Sequence, residues 1–309
     1  MCRPRSMFRR RSPTSRLAQS ATKTCAVQSA FLVQFRRGLA TAPEHDLVVI
    51  GAGPGGYVAA IKAAQFGLKT ACIDKRGPPG GTCGNVECIA SLLNNSHLYH
   101  RVPHDTKRRG INVGDVKLNI EQFLKAKDEA VSSMARGVEL LLKQNKIDYF
   151  KGVGKILGAD EIEVKGNPGE PDALLRVENI IIATGSEATS FPNLIVDEKM
   201  IVTSTGAIAV QKVPNKMVGI GGGIIGLELG SVWSRLGADV TIVEFQNAIG
   251  AGMDSEISKL TQRSLSKQGL KFKLSTKVLG AEIEGETVKV TVDSAKGGKV
   301  ESLDADVGL

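Results

Sequence analysis

From residue 46 the chain reads DLVVIGAGPGGYVAAIKAAQFGLKTACIDK: an apolar run, a glycine turn, apolar residues at helical spacing, then a second apolar run ending in Asp74. Short apolar runs bounded by turn signals predict buried strands, and the period between them predicts a helix, so this is a βαβ unit. Residues 120 to 144 keep apolar positions at helical spacing and predict one long helix. Short strands are expected at 148–151 and 161–164, followed by NIIIATGS, a buried strand running into a turn of small residues. Pro192 and Pro214 punctuate the next stretch, and then the opening pattern returns in MVGIGGGIIGLELGSVWSRLGADVTIVEF. The tail, AEIEGETVKVTVDSAKGGKVESLDADVGL, predicts an antiparallel hairpin or meander. The repeat sets the expected fold class: α/β, with two Rossmann-like dinucleotide-binding domains and an antiparallel β-meander insertion. Domains are expected at 44–190 and 191–309.

The two glycine turns carry the first chemistry. Gly51, Gly53 and Gly56 are followed by Asp74, and Gly221, Gly223 and Gly226 are followed at the same interval by Glu244. In such a fingerprint the first glycine permits a tight turn, the second lets backbone approach a pyrophosphate, and the third lets helix pack on strand. The helix N-terminus offers unpaired N–H groups to the phosphates. An acid at the tip of the next strand accepts from a ribose 2′-hydroxyl and repels a 2′-phosphate, so Glu244 favours NAD over NADP. Arg235 argues the other way only weakly, since its place on the preceding helix fits a solvated face.

Charge changes the picture at one end only. The chain carries 40 Lys and Arg against 32 Asp and Glu, but residues 1–43 hold nine of the cations and no acid. The remainder is electrically neutral and has no electrostatic reason to bind nucleic acid. The Arg-, Ser- and Ala-rich leader reads as a mitochondrial transit peptide, with processing expected between Arg37 and Ala42 and Met7 an alternative start. A secretory signal fits less well, because Gln28 and Gln34 interrupt its apolar stretch and Arg36 and Arg37 follow it. No apolar run approaches the roughly 18 residues needed to span a bilayer.

Three cysteines remain beyond the leader: Cys72, Cys83 and Cys88. That is no secreted disulfide framework. Cys83 and Cys88, in GGTCGNVECIA, allow three readings: a redox disulfide, half of a metal site, or two inert thiols. The metal reading would enlist His97, His100 and His104, but the spacing is looser than common zinc spacings and those histidines would have to fold back. No metal is expected there.

These motifs together resemble the flavin disulfide reductases, and within them the dihydrolipoamide dehydrogenases. The resemblance rests on LVVIGAGPGGYVAAIKAAQFGLKT, GGTCGNVECI, LLNNSHLYH, NIIIATGSE, STGAI, LELGSVWSRLGADVTIVEF and MDSEISK. It implies FAD and NAD as cofactors, and oxidation of protein-bound dihydrolipoamide in 2-oxo-acid dehydrogenase or glycine cleavage complexes in the mitochondrial matrix. The dithiol would attack a Cys83–Cys88 disulfide at Cys83, and Cys88, nearer the flavin, would pass the electrons on. By the same carry-over Asp74, Lys75, Gly81, Thr82, Gly154, Thr184, Gly185 and Ser186 would contact FAD, and Glu228, Glu244 and Val278 would contact NAD.

Two departures from that pattern bear on activity. Between Cys88 and LLNN this sequence is two residues shorter than the family and lacks a lysine the family directs at the flavin. Two residues turn a helix face by about 200°, so Leu92 and Leu93 are expected to lose register with the core unless the helix start reforms. Gly84 and Glu87 also replace an apolar residue and a glycine, and an anion at Glu87 would raise a neighbouring thiol pKa. The second departure is that the sequence stops at DADVGL, with no histidine after His104 to match the family's acid–base pair. The expectation is therefore a truncated enzyme without its interface domain and with impaired activity. The alternatives are a noncatalytic nucleotide-binding remnant and a residual NADH diaphorase.

Overall fold

The two apolar runs of the opening unit become neighbouring parallel strands, β1 (His45–Ile50) and β2 (Thr70–Asp74), joined by helix α1 (Pro54–Gln65). Near-continuous apolar sequence is what a strand covered on both faces requires, and every residue of β2 is buried. Pro54 opens α1 directly after Gly53, a position where its missing N–H costs nothing. The computed structural model describes residues 44–82, 89–189, 191, 193–298 and 300–309. The expected leader, Cys83, Cys88, Gly84 and Glu87 lie outside the described residues.

Helix α2 (Ile89–Asp105) and the long α3 (Ile120–Gln144) follow, the latter with the bounds its periodicity predicts. Asn119 caps α3, its Oδ1 accepting from Gln122 N at 3.0 Å, with Glu121 in the first turn and Lys143 in the last to complement the helix dipole. The expected loss of register in α2 does not occur. Leu92 is fully buried and Leu93 packs against the same core.

Strands β3 (Asp148–Ile156), β4 (Glu161–Gly166) and β5 (Ala173–Ile182) complete the first sheet system. Each long strand serves two ladders. The first residues of β3 pair parallel to β2 and the rest antiparallel to β4, while β5 leaves β4 to pair parallel to β1. The five strands thus close a ring of pairings around Val48, Ile73, Ile162, Val164 and Val177. One expectation needs correction: the end of β5 is not a buried strand. Beyond Val177 the strand pairs only with β1 among the described residues, and Ile182 is 66% exposed.

After a single helical turn, α4 (Ser204–Ala207), the βαβ pattern repeats as β6 (Lys216–Ile220), α5 (Ile224–Leu236) and β7 (Asp239–Val243). Helix α6 (Ser255–Lys267) and β8 (Lys271–Lys273) extend it. Strands β9 (Thr276–Glu284), β10 (Thr287–Ser294) and β11 (Glu301–Ala305) form the expected antiparallel meander, and β12 (Val307–Gly308) joins β6 in a parallel sheet ordered β12-β6-β7-β8. The architecture is mixed α/β, with parallel and antiparallel sheets. One core joins both repeats: Leu92, Phe123 and Leu124 pack with Leu229, Val232 and the fully buried Trp233, whose Nε1 donates to the Ala207 carbonyl at 3.1 Å. Among the described residues no helix is long and apolar enough to cross a membrane.

Candidate nucleotide sites

The two glycine turns are built alike, bond for bond. Gly51 N donates to the Ile73 carbonyl at 2.7 Å, and Gly221 N to that of Val243 at 2.8 Å. One oxygen of each strand-tip acid accepts from the residue after the first glycine: Asp74 Oδ2 from Ala52 N at 2.7 Å, Glu244 Oε2 from Gly222 N at 2.6 Å. The other oxygen accepts two residues on, Asp74 Oδ1 from Arg76 N at 2.8 Å and Glu244 Oε1 from Gln246 N at 2.7 Å. Even the loop beyond repeats, with Gly80 N on the Ala52 carbonyl and Gly250 N on that of Gly222, both at 2.8 Å.

Steric reasons fix the glycines. Gly51 and Gly221 have φ of 105° and 101°, a region that side chains disfavour. A Cβ on Gly56 would lie 1.7 Å from the Gly51 carbonyl oxygen, and one on Gly226 would lie 2.7 Å from that of Gly221. Gly53 and Gly223 cap their helices with extended backbone and no side-chain acceptor, so the first N–H groups of α1 and α5 are left for an anion. Neither helix carries an acid in its first turn that would repel one.

Around the first turn the structure gathers most of the expected residues. Gly81 sits against it, a Cβ there meeting Gly53 Cα at 2.6 Å. Gly154 fills the space against Ile50 and Ile73. Ala183 N donates to the Ile50 carbonyl at 2.8 Å, which brings the exposed Thr184, Gly185 and Ser186 beside Gly51. Lys75 pairs with Glu187, whose carboxyl it holds below the usual carboxylate range, and Thr82 Oγ1 accepts from Arg76 at 2.8 Å. Sequence reasoning missed Arg76 and Glu187 as partners. Their pairing depends on β2 and β5 both flanking β1, although Glu187 closes the NIIIATGSE motif.

Around the second turn a cavity of about 530 Å³ opens, lined by Gly221, Gly223 and Gly226 with Ile224, Ile225, Phe191, Leu194 and Ala281. Glu228 is half-buried one turn into α5. Val278, by contrast, lies in the core among Val218, Val243 and Val290. The reading of Arg235 as part of a solvated face is corrected. It is half-buried, donates to Gln268 Oε1 at 3.1 Å, and has its pKa lowered by burial. A shallower depression of about 370 Å³ on α6, among Lys259, Arg263 and Lys267, holds no candidate residue.

Cys72 is the one cysteine of the described residues, and it lies under the first turn. Burial, reinforced by the Asp74 carboxylate, pushes its thiol up from 9.0 to about 12. An unfolded chain ionises this thiol near pH 9 while the folded one keeps it protonated, so folding stability falls as pH rises from 9 towards 12, by about 1.4 kcal/mol per unit at most. Tyr149, whose hydroxyl donates to the Gly77 carbonyl at 2.7 Å, is shifted in the same direction by burial. The expected result is that Cys72 resists alkylation at pH 8 in the folded chain and reacts on unfolding, as mass spectrometry would read.

The profile described as "Pyridine nucleotide-disulphide oxidoreductase" matches residues 45–309. The chain belongs to this family. It is 56% identical to a mitochondrial dihydrolipoyl dehydrogenase of Schizosaccharomyces pombe over 86% of this chain and 52% of that protein. It is 53% identical to a dihydrolipoamide dehydrogenase of Chaetomium thermophilum over 95% of this chain and 60% of that protein. A leghemoglobin reductase of Vigna unguiculata is 50% identical over 91% and 54%. Among solved structures, the HOCl-induced flavoprotein disulfide reductase RclA of Escherichia coli superposes with a TM-score of 0.68 at 22% identity, over 85% of this chain and 55% of that one, a likeness of fold. The resemblance drawn from the motifs is thereby borne out, and the chain spans about half the length of the curated relatives it matches.

Proposed function

We propose that this chain binds FAD at the first glycine turn and NAD at the second, as two Rossmann-like domains at 44–190 and 191–309. Its reaction would be that of a dihydrolipoamide dehydrogenase: dihydrolipoamide and NAD⁺ give lipoamide, NADH and a proton. The observation that carries this reading is the bond-for-bond repetition of the turn, helix start and strand-tip acid, since each copy suits one dinucleotide.

The chain's own groups fit these ligands. A carboxylate accepts at about four lone-pair sites, so Asp74 and Glu244, each holding two backbone N–H groups, keep capacity for ribose hydroxyls. The open N-terminus of α1 suits a diphosphate, and the missing Cβ atoms of Gly51 and Gly81 let the Ala183 carbonyl and the Gly53 backbone close against the turn. Glu244 holds the 2′-hydroxyl of NAD and repels the phosphate of NADP. A bound flavin supplies a two-electron relay between dithiol and nicotinamide. Cys83 and Cys88, outside the described residues, take the exchange and flavin-side roles by resemblance.

Mitochondrial names among the relatives support a matrix location for this chain, with the leader as its transit peptide. Lipoyl domains of 2-oxo-acid dehydrogenase or glycine cleavage complexes are then its partners, and homodimerisation is carried over from whole relatives. A second reading is NADH oxidation by an external acceptor through the flavin, favoured by relatives named leghemoglobin reductase.

One experiment tests both. The full chain is purified, its flavin spectrum recorded, and NADH added anaerobically with and without lipoamide. Bound flavin bleached by NADH and reoxidised by lipoamide supports the main reading, with Cys83→Ser abolishing the reoxidation. Bleaching without reoxidation supports the second reading. Absence of flavin overturns both and leaves a noncatalytic remnant.

A further inference from the structure

Helix α6 carries its charge differently from α3. The exposed side of α3 mixes Lys125 and Lys143 with Asp128, Glu129 and Glu139, as a solvated face does. On α6, Lys259, Arg263 and Lys267 recur every four residues, which sets them in a row along one face, and with Gln262 and Ser266 they border the depression of about 370 Å³. The acids Asp254 and Glu256 are confined to the cap and first turn. Lys271 and Lys273, just beyond the helix, pair with Asp239 and Glu301, yet among the described residues no carboxylate pairs with the three cations of the row. Like charges four residues apart repel along a helix. The helix dipole favours Lys267 in the last turn, but not Lys259 or Arg263.

Exposed apolar residues share this side. Leu260 precedes Arg263 by three residues and Lys267 by seven, which places it on their face, with Ile257 one turn before it. Leu260 is 52% exposed and Ile257 49%. The inward side of the helix is fixed by other residues: Ser258 is buried with its Oγ donating to the Ile249 carbonyl at 2.7 Å, and Leu265 packs on the core that joins both repeats.

We propose that this outward face of α6 docks on an anionic lipid surface. Phosphate-bearing headgroups neutralise the row of cations while Leu260 and Ile257 enter the boundary beneath them, which is how a basic amphipathic helix lies in an interface. The surface is anionic because two apolar side chains alone would hold a bilayer only weakly. It is a lipid surface because a free phosphate would leave Leu260 and Ile257 in water.

The test is cosedimentation of the full chain with vesicles of phosphatidylcholine alone and of a two-to-one mixture with phosphatidylglycerol. Wild type is expected to bind the mixed vesicles, and to release them at high salt as the charges are screened. The cationic leader is present in every sample, so variants are compared with one another, and hydrogen exchange of the peptide 255–267 reads the helix itself. Lys259→Gln, Arg263→Gln and Lys267→Gln together should weaken binding by about tenfold or more, since each cation near such a surface contributes about fivefold. Leu260→Gln should weaken it by about fivefold. Lys125→Gln, Lys143→Gln and Lys277→Gln together remove the same charge elsewhere and should bind as wild type. Melting temperatures confirm that each variant is folded, and vesicles should slow exchange in 255–267 of the wild type alone among the wild type and the two α6 variants. Equal binding by wild type and the α6 triple variant, or equal weakening by the control triple, would overturn the proposal. Loss in the α6 triple but not in Leu260→Gln, with pyrophosphate competing, would overturn it in favour of a free phosphate-bearing anion. Absence of vesicle binding, with self-association that the α6 triple abolishes, would assign the face to a second copy of the chain instead.

Discussion

Replacing Gly56 with alanine empties the first nucleotide site. The new Cβ would stand 1.7 Å from the Gly51 carbonyl oxygen, with the Gly51 carbonyl carbon at 2.8 Å and the Ala183 Cβ at 3.3 Å. Both neighbours are held: Gly51 N is bonded to the Ile73 carbonyl, and Ala183 N to that of Ile50. Backbone so tied cannot retreat by a flexible side chain, so the cost falls at or above the ~3 kcal/mol upper range of ordinary overpacking. For a domain of this size that is a fall of about 10 °C in melting temperature, and purified protein should carry no flavin. Gly226→Ala is the internal control. Its Cβ meets the Gly221 oxygen at 2.7 Å, so backbone must shift there too, but at the second turn, and flavin content should stay at wild-type level while NADH binding weakens.

The two acids should separate the two cofactors. Asp74 is 7% exposed and receives Ala52 N, itself fully buried, so Asp74→Ala leaves a donor without partner at a cost of about 1–3 kcal/mol. The alanine also has no acceptor for the ribose hydroxyls, so FAD affinity is expected to fall by about a hundredfold or more. Glu244 is half-buried, and of the two residues whose N–H groups it would abandon Gly222 is buried and Gln246 exposed. Glu244→Ala should therefore keep its flavin and lose NADH affinity by about tenfold, which stopped-flow reduction of the bound flavin reads directly. A variant that lost both cofactors at either position would show the sites to be one structural unit.

Much of this architecture is legible in the residues alone. Strand, turn, helix and acid recur in both halves because apolar runs, glycines and a terminal carboxylate each impose a local constraint. The Asn119 cap and apolar period set the limits of α3 in the same way. The features that escape a reading of the residues depend on contacts distant in sequence. The exposure of Ile182 follows from β5 pairing, among the described residues, with β1 alone at its end, and Arg235 lies half-buried beside Gln268 instead of in solvent. Arg76 and Glu187 meet Thr82 and Lys75 only once β2 and β5 flank β1. The retained register of Leu92 likewise belongs to tertiary packing, which overrides a two-residue difference that helix geometry alone would propagate.

The proposed activity requires two separate dinucleotide sites in one chain. Calorimetric titration of the full chain with FAD, followed by NADH into the FAD-saturated protein, tests this most directly. One FAD per chain and then one NADH, neither displacing the other, is the predicted result. A single nucleotide per chain, or NADH that binds only by expelling FAD, would contradict it.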